Sequence, residues 1–168
     1  MRLFIAIPLS NTAKDAVRQI QNTFRTAGVR GNYTSPENLH LTLAFIGEYG
    51  DPDKVLDALE TVEFDPLPLV MDRLGRFDDL WWMGFADSPE LNALVKRLRR
   101  ALAEAGIPYD RKKFMPHVTI LRRADVPSRD HLPQAQPAPQ RMTAERVVLY
   151  CSTRGKSGMI YTELGSIP

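Results

Sequence analysis

Two histidines of this chain stand in the same short pattern. His40-Leu41-Thr42 opens the run HLTLAFIG, and His117-Val118-Thr119 opens HVTILRR. The chain has only three histidines in 168 residues. Two of them followed at this spacing by threonine is expected by chance in about one chain in a hundred of this composition. In a strand, residues i and i+2 project from one face, so each stretch presents an imidazole beside a hydroxyl. Simple alternation groups Ala44 with His40 and Thr42 and turns Leu41, Leu43 and Phe45 away. It also turns Val118 and Ile120 into the core. Arg122, three residues after Thr119, is turned away from it unless a bulge or strand end intervenes.

Paired imidazoles suit proton transfer in both directions, because an ordinary histidine pKa near 6.5 lets one ring be neutral while the other is charged. A neutral ring takes a proton from an attacking water or hydroxyl, and a charged one gives a proton to a leaving oxygen. The threonine hydroxyls donate hydrogen bonds to phosphate oxygens as their charge grows. Such a tetrad implies displacement at phosphorus without a metal. No Asp, Glu or Cys accompanies either histidine within its motif, which disfavours a metal site. His131, in RDHLPQ, has no such setting and reads as an exposed loop residue. Neither a GxSxG elbow nor a glycine-rich phosphate loop is present, so serine hydrolase and ATP-driven chemistry are unsupported.

The elements that must position these residues follow from periodicity. Leu3–Ile7 reads as a strand, and residues 11–28 as a helix with Asn11 as N-cap and Gly28 as its stop. A loop through Pro36 leads to the first histidine strand. A helix from Asp51 to about Val62 comes next. The prolines of FDPLPLVMDRLGRF demote its first part to an edge strand or loop. Residues 80–85 then read as a strand, and 88–106 as a helix with Ser88 as N-cap, Pro89 at its first position and Gly106 at its end. The second histidine strand follows. Residues 127–141 read as a loop or crossover, and 143–151 with 158–164 as a closing hairpin. A shift of 77 residues superposes Leu3 on Leu80, Asn11 on Ser88, His40 on His117 and Thr42 on Thr119 without a gap. The order strand, helix, histidine strand therefore occurs twice. A pseudo-twofold pairing of the two units brings the histidine strands face to face.

Length and composition predict one domain over residues 1–168, built from two lobes, with 43% hydrophobic and 25% charged residues. No apolar run is long enough to cross a bilayer. The start lacks the cleavage pattern of a secretory signal. The single cysteine, Cys151, lies in an apolar strand and reads as a buried, unreactive thiol. A reducing cytoplasm and a monomer are expected. The net charge of +2 hides an asymmetry: residues 1–84 carry 8 Lys and Arg against 12 Asp and Glu, while residues 85–168 carry 14 against 8. A basic second half is compatible with a phosphate-bearing partner.

The paired motifs HLTL and HVTI resemble the two signatures of the 2H phosphoesterase superfamily. With the opening RLFIAIPL, the setting ENLHLTLAFIGE and FMPHVTILR, the whole chain is similar to one branch, the RNA 2′,3′-cyclic phosphodiesterases, also called 2′-5′ RNA ligases. The resemblance implies a bilobal α+β fold. Two antiparallel sheets with pseudo-twofold symmetry flank a central cleft, with helices outside. It implies hydrolysis of an RNA or oligonucleotide 2′,3′-cyclic phosphate end to a 2′-phosphate, with no metal and no cofactor, and ATP-independent 2′-5′ ligation by the same chemistry. His117 is then the proton acceptor that activates water and His40 the proton donor. Thr42, Thr119 and Arg122 hold the phosphate. Tyr33 and Phe114 are candidates to stack on a base, with core packing or a loop role as the alternative for each. A module that binds RNA ends with little catalysis, or a 2H enzyme for another cyclic or 2′-5′ phosphodiester, is the competing expectation.

Overall fold

Each α-helix starts at a side chain that satisfies one of its free amides. In the computed structural model, which describes residues 1–127 and 137–168, Ser10 Oγ accepts from the Ala13 amide at 3.2 Å and begins helix α1, Asn11–Thr26. The cap is thus Ser10, and Asn11 is the first helical residue. Asp51 accepts from the Lys54 amide and begins α2, Pro52–Glu60. Ser88 accepts from the Leu91 amide and begins α3, Pro89–Glu104. Gly28 and Gly106 follow α1 and α3 at φ 83° and 73°, a left-handed conformation that costs glycine little.

Among the described residues, nine strands form two antiparallel sheets. The first contains β1 (Arg2–Pro8), β3 (His40–Glu48), β8 (Val147–Gly155) and β9 (Gly158–Ile167), in the order β3-β1-β8-β9. The second contains β2 (Arg30–Tyr33), β4 (Leu67–Phe77), β5 (Leu80–Phe85), β6 (His117–Asp125) and β7 (Gln140–Ala144), in the order β2-β6-β5-β4-β7. The repeat appears as β1-α1-β3 and β5-α3-β6, and in each unit the outer strands pair antiparallel. The helices cross over. Helix α1 packs behind β6 and β7 of the second sheet, and α3 behind β3 of the first. The core lies between sheets and helices, with Leu3, Ile5 and Ile7 of β1 and Val118, Ile120 and Leu121 of β6 all fully buried.

Three segments differ from the periodicity reading. Residues 30–33 form an edge strand rather than a loop; at four residues, mostly exposed and with a glycine, it is held by pairing with β6. The proline-bearing segment is a strand: Leu67–Leu69 pairs with β7 alone, and the later part, from Met71, pairs with β5. One-sided pairing at Pro68 is what a residue without an amide proton permits. The run 143–151 is divided between β7 and β8, and the predicted hairpin is β8-β9 with Gly155 opposite Gly158. Cys151 is buried, as its apolar setting predicts. His131 and residues 128–136 of the predicted loop lie outside the described residues. Among the described residues no helix is long and apolar enough to cross a membrane.

Candidate active site

His40 and His117 each occupy the first position of their strand, and both strands border one cleft of about 1000 Å³. Strands β3 and β6 approach one another directly across it. Thr42 and Thr119 face the same space, as two-residue periodicity dictates. In both histidines Nδ1 lies 2.6 Å from a backbone carbonyl two residues earlier: that of Asn38 for His40 and of Met115 for His117. A carbonyl only accepts, so Nδ1–H donates and each neutral ring keeps its lone pair on Nε2. Nε2 of His40 is 2.9 Å from Thr42 Oγ1. Nε2 of His117 has no protein partner among the described residues.

Beyond the threonines, alternation fails in both strands, at equivalent places. Trp82 pairs with Thr119 but Trp81 pairs with Leu121, leaving Ile120 as an extra residue in β6. Ala6 pairs with Thr42 but Ile5 pairs with Ala44, leaving Leu43 extra in β3. These bulges stand 77 residues apart, the spacing of the motifs. Each reverses the faces that follow. In β6 both Ile120 and Leu121 are buried, and Arg122 turns back to line the cleft with Thr119. In β3 Ala44 is buried, and Phe45, expected to turn away, is 37% exposed and lines the cleft. The pseudo-symmetric pair is therefore a guanidinium on one side and a phenyl ring on the other.

Two residues hold the β6 bulge open. The carbonyl of Ile120, which has no partner on β5, accepts from the Thr34 amide at 3.1 Å and from Gln21 Nε2 at 3.0 Å. Gln21 also donates to the Thr34 carbonyl, and Thr34 Oγ1 to the Thr119 carbonyl. At 2% exposure Gln21 is the buried polar side chain of the molecule's described part. Opposite, Gly31 lies so close to the Arg122 and Arg123 carbonyls that a Cβ there would come within 2.9 Å of both. Gln21→Leu removes a donor from the buried Ile120 carbonyl and the half-buried Thr34 carbonyl, a cost of about 1–3 kcal/mol. It is expected to lower Tm by several degrees. If Gln21 positions Arg122 and Thr119, kcat/KM also falls at a temperature where the variant is fully folded; unchanged kcat/KM there would make its role purely structural.

The two rings differ in surroundings. His40 packs on the buried ring of Phe4 at 4.9 Å and edge-on to Tyr161 at 5.2 Å. Burial pushes its pKa down from the usual histidine range to about 4; the Asn38 hydrogen bond opposes this, and the positive charges of Arg122 and His117 add to it. The resting ring is thus neutral at pH 7, and the Thr42 hydroxyl donates to it. His117 has Phe77 at 6.0 Å and Trp82 at 6.2 Å, and Phe77 is 44% exposed. Of the aromatic candidates, Phe114 lines the cleft. Tyr33 does not: its hydroxyl donates to the Val29 carbonyl at 2.6 Å and its ring lies under Arg25 at 4.1 Å.

Two antiparallel sheets, each offering a histidine and a threonine to a shared cleft, define a bilobal protein of the two-histidine phosphoesterase class. The chain belongs to the 2′-5′ RNA ligase superfamily, whose family model matches residues 8–156. Among curated relatives, the RNA 2′,3′-cyclic phosphodiesterase of Thermotoga maritima is 28% identical, over 98% of this chain and 93% of that protein. The protein of the same name from Escherichia coli is 32% identical, over 73% of this chain and 72% of the relative. Among solved structures, E. coli LigT in its apo form has a TM-score of 0.83 at 25% identity, covering 99% of this chain and 95% of that one. LigT complexed with 3′-AMP gives 0.81 at the same identity and coverage.

Proposed function

We propose that this chain is an RNA 2′,3′-cyclic phosphodiesterase that opens the cyclic end to a 2′-phosphate, with His117 as proton acceptor and His40 as proton donor. The observation that carries the reading is the matched fixing of the two rings: both direct Nε2 toward one cleft from facing strands. Relatives that share the family bear the name of this activity.

Water beside His117 loses a proton to Nε2 as its oxygen attacks phosphorus. The bond from phosphorus to the 3′ oxygen breaks on the opposite side, and His40 Nε2–H delivers a proton to that oxygen. The products are a 2′-phosphate and a 3′-hydroxyl. Thr42, Thr119 and Arg122 carry the charge that gathers on the non-bridging oxygens. His117, unpartnered at Nε2 and beside a half-exposed ring, has access to water. The depressed pKa of His40 makes it a strong acid once protonated, and an anionic phosphate beside the ring favours its protonated form. Protonation also ends the bond from Thr42: Nε2 no longer accepts, its N–H is free for the leaving 3′ oxygen, and the Thr42 hydroxyl is released to the phosphate. A ribose 5′-hydroxyl in the place of water forms a 2′-5′ phosphodiester by the same step, driven by the cyclic ester rather than by ATP.

The test is incubation of the protein, with EDTA present, with a short RNA ending in a 2′,3′-cyclic phosphate. A 2′-phosphate end is expected. A 3′-phosphate would reverse the leaving oxygen, and dependence on added metal would refute an acid–base tetrad. Tight binding without product would make the chain a binder of RNA ends.

A further inference from the structure

The cleft extends well beyond the tetrad, and its charge is one-sided. Six cations line it, Arg2, Arg99, Lys112, Lys113, Arg122 and Arg154, against two carboxylates. Glu48 pairs with the N-terminal amine at 3.3 Å, and Asp110 accepts from the Lys112 amide at 2.9 Å. None of the six cations has a carboxylate within ion-pair distance among the described residues.

Four of them belong to the Phe45 end of β3 and the segment docked on it. The guanidinium of Arg2 lies 5.5 Å from the centre of the Phe45 ring. The Asp110 amide donates to the Phe45 carbonyl at 2.7 Å, which clamps the segment before His117 to this end of the strand. Arg99 reaches from α3 to donate to the Lys112 carbonyl at 2.8 Å. Its Nε is buried without a hydrogen-bond partner among the described residues. These contacts fix the backbone that carries Lys112 and Lys113 and leave the ammonium groups unpaired. From His40 to Phe45 the cleft wall is aromatic: the Phe4 ring lies 4.9 Å from the His40 ring and 6.0 Å from that of Phe45, and Arg2 caps the Phe45 end.

We propose that Arg2, Arg99, Lys112 and Lys113 form a second binding site, a track for the phosphodiesters of the RNA strand 5′ to the cyclic end. The inference rests on the reading of the cleft as one for RNA ends and adds a preference to it: the substrate is an oligonucleotide rather than a cyclic mononucleotide. It also fixes the strand's direction. A ribose beside its departing 3′ oxygen lies on the His40 side, and the chain leaving its 5′ oxygen continues along β3, past Phe45, into the cationic end. Unpaired cations held by the protein release counterions from each phosphate they meet, so this part of binding is salt-dependent.

The test compares a cyclic mononucleotide with an eight-nucleotide RNA ending in 2′,3′-cyclic phosphate, in the natural protein and in Lys112→Ala/Lys113→Ala, over a series of salt concentrations. The ratio of kcat/KM for the oligonucleotide to that for the mononucleotide is expected to exceed one at low salt and to fall about tenfold in the variant. The salt slope for the oligonucleotide should become shallower by about one, at roughly 0.7 for each single-strand phosphate that the variant no longer neutralises. Binding of a 3′-hydroxyl octamer, followed by fluorescence anisotropy, reads the track without turnover and should weaken in parallel. Equal kcat/KM for both substrates, or an unchanged ratio and slope in the variant, overturns the track and leaves the hydrolysis standing. Octamer binding that the variant loses, with no turnover of either substrate, overturns the hydrolysis and keeps the track.

Discussion

His117→Ala and His40→Ala are each expected to lower kcat on an RNA 2′,3′-cyclic phosphate end by about 10²- to 10⁴-fold, the usual worth of one positioned proton-transfer group. The fold should survive both. The rings line the cleft, and losing either leaves one backbone carbonyl, that of Asn38 or Met115, without its donor, a cost of about 1 kcal/mol. Far-UV circular dichroism and a Tm within a few degrees of the natural protein check this. The two losses should not add. Acid and base act in one displacement, so the double variant is expected to sit close to the worse single one. KM should move far less than kcat, because in the proposed mechanism Arg122 and the threonines still hold the phosphate. Near-normal turnover in both single variants would remove the histidines from the chemistry and leave the facing motifs as a binding device.

The residues that this experiment replaces were legible in the sequence because strand periodicity is two: His40 with Thr42, and His117 with Thr119, share a face whatever the tertiary structure. The 77-residue repeat was legible for a similar reason, since the strands and motifs recurred in one register; the helices recur one residue out of it, with caps at Ser10 and Ser88 and buried Ala13, Val17 and Phe24 answering to Leu91, Val95 and Leu102. What followed the threonines was not. The bulges at Leu43 and Ile120 fall within unbroken apolar runs, and nothing in the type of either residue marks it as the extra one. Alternation therefore placed Arg122 and Phe45 on the wrong faces. A signal existed on another element. Gln21 falls on the stripe of α1 that also buries Ala13, Val17 and Phe24, and a glutamine there needs acceptors. It finds one at the bulge. The crossed packing of α1 and α3 onto the opposite sheets was not readable, because an amphipathic stripe shows that a helix is covered and not by which strands. Nor were the basic residues of the second half placed in a cleft by their number alone; the clamps from Asp110 and Arg99 gather four of the molecule's cations at one end.

A pH dependence of stability is the other large effect expected, and its sign follows from His40. In the unfolded chain the ring titrates near 6.5; in the folded protein burial pushes it down to about 4. Above the unfolded value both states are neutral, and His40 contributes nothing to the pH dependence. As pH falls through the interval from about 6.5 to about 4, the unfolded chain takes up a proton that the native ring refuses, so stability is lost progressively. The loss levels off below the folded value at on the order of 3 kcal/mol. His40→Gln keeps a donor for the Asn38 carbonyl but cannot titrate. Urea unfolding at pH 7, 5.5 and 4 is expected to show the natural protein losing more stability than this variant, by an amount that grows toward pH 4. Parallel losses in the two proteins would mean that the ring is not held neutral. Inorganic sulfate, an anion across this whole range, probes how the ring responds to a filled cleft. An anion there favours the protonated ring, so sulfate should restore part of the stability lost at acid pH in the natural protein and restore less in His40→Gln. The same coupling is what the proposed reaction requires: a ring held neutral by burial that becomes a strong proton donor when phosphate enters.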